Sequence, residues 1–108
     1  MKNANIFVDV DLTLVDAEGN LLDSAREALG KLAGAGCHLF LWSTAGAEYA
    51  HKVAERHKLT QLFEGFAAKP DIIIDDMPST VAAPFVFRVQ DELSWASLVD
   101  KVIERHVD

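Results

Sequence analysis

Apolar segments alternate with helical patterns along the chain, and this alternation predicts an α/β fold. Nearly continuous apolar runs predict strands at residues 5–10, 38–43, 71–75 and 85–89, with a short further strand at 65–67. Strands without polar alternation are typical of a parallel sheet that is covered on both faces. We therefore expect a mostly parallel sheet with right-handed crossovers.

Three amphipathic helices are predicted between and after these strands. The first begins near Asp23 or Ser24 and ends at Gly34 or Gly36, the second covers 45–57 with Thr44 as its cap, and the third begins near Ser94. Each helix carries an apolar stripe that we expect to face the core. The stripes are Ala25, Ala28, Leu29, Leu32 and Ala33; Ala50, Val53, Ala54 and His57; and Trp95, Leu98, Val99, Val102 and Ile103.

Composition narrows the class of protein. The 108 residues predict one domain, 1–108, and the net charge of −7 gives no general attraction for nucleic acid or an anionic membrane. No apolar run is long enough to span a bilayer, and the first residues lack the pattern of a secretory signal. The single cysteine, Cys37, suits a reducing compartment, so we expect a cytoplasmic protein.

Chemically active residues follow the predicted strands at the point where each ends or begins. Solvated loops would explain any one of them, but ligands of parallel sheets bind beyond the carboxyl ends of the strands, which is where these residues collect. The residues are Asp9 and Asp11, Ser43 and Thr44, Lys69, and Asp75 and Asp76.

These residue types together favour phosphoryl transfer. Four neighbouring carboxylates would repel one another unless a cation intervened, and oxygen ligands suit Mg²⁺. Zinc is not indicated, because Cys37 and the histidines show no ligand spacing. A hydroxyl group and a lysine beside such a metal would bind the oxygens of a phosphoryl group.

The order of these residues also resembles the haloacid dehalogenase superfamily. The segment Asp9-Val10-Asp11-Leu12-Thr13 matches the family's DxDx[TV] motif, Ser43 its second motif, Lys69 its third and Asp75-Asp76 its fourth. The resemblance covers essentially the whole chain. It implies a Rossmann-like, three-layer sandwich with a five-stranded sheet in the order 3-2-1-4-5. It further implies a single helical turn after Thr13 and a β-hairpin flap at about 14–23, with Gly19-Asn20 as its turn.

The resemblance also implies a role for each residue in a phosphatase. Asp9 would be the nucleophile that forms an aspartyl-phosphate, and Asp11 the general acid and then the base. Mg²⁺ would be held by the Asp9 carboxylate, the Asp11 carbonyl group and Asp76, with Asp75 orienting waters or Lys69. Whether Asp76 or Asp75 is the direct ligand stays open. Ser43 and Thr44 would bind the phosphate, and Lys69 would bridge nucleophile and phosphate.

Several other functions are compatible with some of these features. Dehalogenases use the same nucleophile but need neither an acid nor Mg²⁺, and receiver domains distribute their aspartates over different strands. A phosphotransferase or phosphomutase, or a phosphate-binding regulatory module with little turnover, would use the same residues. We expect a phosphatase acting on a phosphorylated small molecule.

The sequence between the motifs has no room for a cap domain. We therefore expect that only the flap, a neighbouring subunit in a homo-oligomer, or the substrate itself can cover the site.

Overall fold

The chain folds into two compact units, Met1–Lys69 and Pro70–Asp108. The computed structural model describes residues 2–77, 83–88, 91 and 94–106. Val89, where the last strand was expected to end, lies outside the described residues. Within the described segments, no helix combines the length and the apolar character needed to cross a membrane. The prediction of one domain over 1–108 stays a prediction.

The first unit contains three strands and two α-helices. In chain order they are β1 (Asn5–Asp9), α1 (Ala25–Gly34), β2 (His38–Ser43), α2 (Ala47–Arg56), a 3-10 turn (Thr60–Leu62) and β3 (Gly65–Ala68). The bounds of β2 are those that the apolar run predicts, and β1 is one residue shorter than expected. The 3-10 turn was not predicted.

The three strands form one parallel sheet with β2 in the middle. The register places Asp9 opposite Trp42 and Ser43 opposite Ala68. The carboxyl ends of all three strands therefore meet at one edge of this sheet, which brings Asp9, Ser43 and the residue that follows β3, Lys69, to the same edge.

The core lies on one face of the sheet. Leu39 and Leu41 of β2 are fully buried, and they belong to one apolar cluster with Leu29 of α1 and Ala50 and Ala54 of α2. Both helices therefore pack on the same face through residues of their predicted apolar stripes. The predicted stripe of α1 was wrong at Ala28 and Leu32, which are exposed.

The opposite face carries aromatic side chains. Phe7 and Phe40 stack with ring centroids 4.9 Å apart, and Trp42 lies 4.8 Å from Phe7. Phe7 nevertheless stays 48% exposed. The continuous apolar runs predicted strands covered on both faces, and this was wrong for β1, since its second face is aromatic but still meets solvent.

The second unit contains two parallel strands and one helix. They are β4 (Ile72–Asp75), β5 (Phe85–Arg88) and α3 (Trp95–His106), with Ile72 paired to Phe85. Among the described residues of this unit, Phe87 and Leu98 are the buried ones. The predicted inward stripe of α3 was wrong at Trp95, Val99 and Ile103, which are 61%, 40% and 50% exposed. Two four-residue strands offer too little area to bury a five-residue stripe.

The predicted five-stranded sheet in the order 3-2-1-4-5, and the three-layer sandwich built on it, are wrong. The strands form a three-stranded sheet, β1-β2-β3, and a two-stranded sheet, β4-β5. What survives of the prediction is a small α/β protein with parallel strands, three helices and the pairings within each half.

The length of one connection explains this difference. Residues 69–71 alone join β3 to β4, and a connection of this length reaches at most about 14 Å when fully extended. In the order 3-2-1-4-5, β4 would lie three strand spacings from β3, roughly 14 Å, and would have to start at the opposite edge, about 13 Å away. The combined distance of about 19 Å exceeds the reach of the connection, and no helix is available to make the crossover.

The ends of the first two helices also differ from the sequence-based expectation. Ser24 stands at the N-cap of α1 but makes no side-chain capping hydrogen bond, and the N-cap of α2 is Gly46 rather than Thr44. Gly46 has a φ of +112°, a conformation that threonine avoids. The helix therefore begins after the turn that Thr44 was expected to cap.

Candidate functional site

The end of β1 and the end of β3 are joined by an ion pair. Lys69 Nζ lies 3.1 Å from Asp9 Oδ1, and the two side chains are 33% and 34% exposed. The Lys69 ammonium group also lies 6.0 Å from the centre of the Trp42 ring. The backbone N–H of Lys69 donates to the carbonyl oxygen of Ser43 at 2.9 Å, so the start of the connection is fixed to β2. A carboxylate and a lysine are thus held together at the carboxyl edge, accessible to a solute.

A single helical turn follows β1, as expected. The backbone N–H groups of Thr13, Leu14 and Val15 all donate to the carbonyl oxygen of Val10. The turn brings the Thr13 hydroxyl group back to Asp9, where Oγ1 lies 3.3 Å from Oδ2. Both oxygens of the Asp9 carboxylate are therefore oriented, one by Lys69 and one by Thr13.

This turn contains a strained residue. Leu12, between Asp11 and Thr13, has a φ of +61° and a side chain that is 74% exposed. A left-handed conformation costs a residue other than glycine roughly 1–2 kcal/mol. Such strain is typical of segments whose geometry serves a site, because the surrounding hydrogen bonds must hold it in place.

Asp11 is held by a residue that the sequence analysis did not single out. The Tyr49 hydroxyl group donates to Asp11 Oδ1 at 2.6 Å. The hydrogen bond to Asp11, together with partial burial and the charge of the carboxylate, raises the pKa of Tyr49 above its ordinary value. Tyr49 lies on α2 and packs against the core cluster, so its ring is anchored independently of the turn that carries Asp11.

The two hydroxyl residues after β2 have different environments. Ser43 is 1% exposed, and its Oγ accepts a hydrogen bond from the backbone N–H of Ala45 at 3.0 Å. Thr44 is exposed. The structure therefore gives Ser43 a role in shaping the turn into α2, and of the two predicted phosphate ligands Thr44 is the one open to solvent.

The flap forms at the predicted position, and its tip contacts the C-terminal end of α2. Val15 and Leu21 form an isolated antiparallel bridge, and Asp16 Oδ1 accepts hydrogen bonds from the N–H groups of Glu18 and Asn20, both at 2.9 Å. These backbone hydrogen bonds, that of Asn20 first, lower the pKa of Asp16. The turn centres on residues 17–19 rather than on Gly19-Asn20, and Gly19 has a φ of +84°.

The tip of the flap is attached far from the carboxyl edge. His57 Nε2 lies 2.9 Å from the carbonyl oxygen of Gly19. His57 follows Tyr49 by eight residues, which is about 12 Å along the helix axis. The tip of the flap therefore lies at the opposite end of α2 from Asp11. Whether the flap, a neighbouring subunit or the substrate covers the site stays a prediction.

Asp75 and Asp76 lie at the end of β4 in the second unit. Asp75 Oδ1 accepts a hydrogen bond from the N–H of Met77 at 2.7 Å, and the carbonyl oxygen of Asp76 lies 3.4 Å from Arg88 Nε. Asp75 is half-buried and Asp76 is exposed. Their predicted part in holding a metal ion stays a prediction.

The donor chemistry of the first unit fits Mg²⁺. Among the described residues, no group of three histidine, cysteine, aspartate or glutamate side chains is placed to hold a metal ion. Mg²⁺ is nevertheless commonly bound through one or two carboxylates, with water and phosphate oxygens completing its octahedral shell. Asp9, at the end of β1, supplies one such carboxylate, and Asp11 two residues later offers its backbone carbonyl oxygen.

Tyr49 could have been found from the pattern of α2. The predicted stripe was Ala50, Val53, Ala54 and His57, yet Tyr49, Val53 and His57 follow one another at intervals of four and so share a face. The signal is that Tyr49 is the first residue of this face and lies near the N-terminal end of α2, which starts at the carboxyl edge of the sheet.

No protein-family model matches the chain, and no curated protein or solved structure matches it significantly.

Proposed function

We propose that this chain is a Mg²⁺-dependent phosphatase that hydrolyses a phosphate monoester through an aspartyl-phosphate, in the manner of the haloacid dehalogenase superfamily. The observation that carries the proposal is the pair of Asp9 and Lys69, 3.1 Å apart at the carboxyl ends of two strands of one parallel sheet. The proposed nucleophile therefore lies next to a cation that can bind the phosphoryl oxygens, and about one third of each side chain is exposed to solvent.

The chemistry assigned to these residues is a double displacement. An oxygen of the Asp9 carboxylate attacks phosphorus, the ester P–O bond breaks, and the leaving oxygen takes a proton from Asp11. Water then attacks the phosphorus of the aspartyl-phosphate, Asp11 accepts the proton of that water, and phosphate and the Asp9 carboxylate are released. Lys69 neutralises charge on the phosphoryl oxygens, and the exposed Thr44 hydroxyl group donates to one of them.

Within the first unit, Mg²⁺ would be held by the carboxylate of Asp9 and the carbonyl group of Asp11. When bound, it supplies positive charge that offsets the repulsion between the carboxylates and the substrate phosphate.

The substrate that fits best is a small phosphorylated molecule. The net charge of −7 opposes a polyanionic substrate, so the attraction for phosphate must be local and must come from Lys69. The half-buried, unpaired thiol of Cys37 is compatible with work in a reducing cytoplasm.

The test is Mg²⁺-dependent release of phosphate from a panel of phosphorylated metabolites and p-nitrophenyl phosphate. We expect turnover that EDTA abolishes and Ca²⁺ inhibits, because the larger, looser shell of Ca²⁺ would displace the nucleophile. Asp9→Asn should abolish turnover, since an amide is nearly isosteric but does not attack phosphorus. Asp23→Asn, the same change at an exposed position in the same unit, is the control and should retain activity.

Full activity in Asp9→Asn would refute the nucleophile, and absence of turnover for every ester would refute the phosphatase. Phosphate captured on Asp9 and passed to an added alcohol rather than to water would instead indicate a phosphotransferase.

A further inference from the structure

We infer that Tyr49 is a positioning residue for the proposed general acid, and that it commits Oδ2 of Asp11 to proton transfer. The inference rests on the proposed function, because Asp11 acts as an acid only if the chain cleaves phosphate esters. It goes beyond that proposal by assigning a task to a residue on α2.

The geometry of the contact supports this task. At 2.6 Å, the Tyr49 hydroxyl group makes a short hydrogen bond with Asp11 Oδ1, as expected when the acceptor is a carboxylate. A donor fixed on Oδ1 sets the rotation of the carboxyl group. Oδ2 is then the oxygen that carries the proton to the leaving group and later receives one from water.

The anchoring of Tyr49 makes it suitable for this purpose. Its ring packs on the core cluster, and its neighbour Ala50 is fully buried against that cluster. At the other end of α2, Arg26 of α1 binds the carbonyl oxygen of His57 at 2.6 Å, which ties the helix to α1. Asp11 lies instead in an exposed turn beside the strained Leu12. The fixed element therefore positions the side chain of the less constrained one.

A purely structural role for Tyr49 is separable from a positioning role by the leaving group of the substrate. An alkyl phosphate needs a proton on its departing oxygen, whereas p-nitrophenolate departs without one. The ratio kcat/KM reports only the steps up to the first irreversible one, which is transfer of the phosphoryl group to Asp9 when ester cleavage is irreversible. The later role of Asp11 as a base therefore does not affect kcat/KM.

The experiment compares Tyr49→Phe with the wild-type protein on both esters, with Mg²⁺ present. We expect kcat/KM for the alkyl phosphate to fall about 10-fold, a part of the 10²- to 10⁴-fold that general acid catalysis provides, and to fall less than about 2-fold for p-nitrophenyl phosphate. Asp11→Asn should show the same preference more strongly. Adding Tyr49→Phe to Asp11→Asn should cause no further loss. Lys52→Ala, on an exposed part of α2, is the control.

Tyr49 is the only tyrosine of the chain, so growth on fluorotyrosine changes this residue alone. That protein keeps the ring and the donor, and we expect it to behave as wild type even if Tyr49→Phe folds poorly. Equal losses on both esters in Tyr49→Phe, or a further loss in the double variant, would overturn the inference while leaving the phosphatase intact. A wild-type protein that cleaves neither ester would overturn the proposed function and this inference with it.

Discussion

The ion pair between Asp9 and Lys69 should be measurable as a coupling free energy, independently of any activity. The perturbation is a double-mutant cycle made of Asp9→Asn, Lys69→Met and the double variant. Both substitutions keep the approximate size of the side chain and remove its charge. The cycle therefore isolates the interaction between the two positions from the effect of each change alone.

The magnitude follows from distance and exposure. Ion pairs on a fully exposed surface contribute about 0.2–1 kcal/mol. Asp9 and Lys69 are 3.1 Å apart and only a third exposed, so water screens them less than a surface pair. We expect a coupling free energy of about 1 kcal/mol at low salt, falling at 1 M salt, where the screening length is roughly 3 Å.

The control is the pair formed by Glu48 and Lys52 on α2. Its atoms are 3.3 Å apart, but the lysine and glutamate side chains are 70% and 84% exposed. An exposed pair at this helical spacing contributes about 0.3–0.5 kcal/mol. The assay is urea unfolding of all variants, followed by one spectroscopic probe at two salt concentrations.

A coupling for Asp9 and Lys69 that does not exceed the control would refute the arrangement. It would mean that the ends of β1 and β3 do not hold these charges together in solution. The phosphatase proposal would then lose the observation that carries it, whatever the activity measurements show.

Two further predictions concern the flap and the hydroxyl residues. Hydrogen bonds lower the pKa of Asp16 in the folded state. Its ionised carboxylate therefore stabilises the flap at pH values above 3.8, the ordinary pKa, and this stabilisation is lost as the pH falls through the lower pKa of the folded state. The amide NMR shifts of Glu18 and Asn20 should therefore titrate with a midpoint below 3.8 and stop titrating in Asp16→Asn; a midpoint at or above 3.8 would contradict this. Ser43→Ala should lower the free energy of unfolding by about 1–2 kcal/mol, because the N–H of Ala45 loses its acceptor, while leaving KM nearly unchanged. Thr44→Val should instead raise KM and leave the free energy of unfolding nearly unchanged. Urea unfolding and steady-state kinetics measure the two quantities, and a raised KM in Ser43→Ala with an unchanged KM in Thr44→Val would contradict the assignment.

The sequence was informative where a residue's placement depends on its own strand. Asp9 and Ser43 stand at the ends of β1 and β2, as the apolar runs predict. Lys69, which was predicted to precede β4, also directly follows β3. Parallel strands then bring their carboxyl ends to one edge without further information. The meeting of Asp9 with Lys69 follows from this rule together with the register of the two pairings.

The sequence was not informative where placement depends on how the chain travels between strands. The five-stranded order required β3 and β4 to be three strand spacings apart. The pattern of apolar residues predicts the strands but does not show how far residues 69–71 can span. The length of that connection was visible in the sequence, and it was the signal that should have weighed against the expected order. The direction of the flap could not be predicted for a different reason. Its tip is held by the hydrogen bond between His57 Nε2 and the carbonyl oxygen of Gly19, two residues that are 38 positions apart.

Each carboxylate of the proposed site is held by an element other than its own, and this arrangement determines how the site responds to change. Asp9 is held by Lys69 from the end of β3, and Asp11 by Tyr49 from α2. The distance between nucleophile and acid therefore depends on the register of the sheet and on the seating of α2 against it. That seating relies on Ala50 and Ala54, which are fully buried against the strands. A larger side chain at Ala50 would displace the helix and carry Tyr49 away from Asp11, whereas the Asp9–Lys69 pair itself involves no side chain of α2. The two halves of the proposed chemistry, attack and proton transfer, are thus supported by separate parts of the same unit.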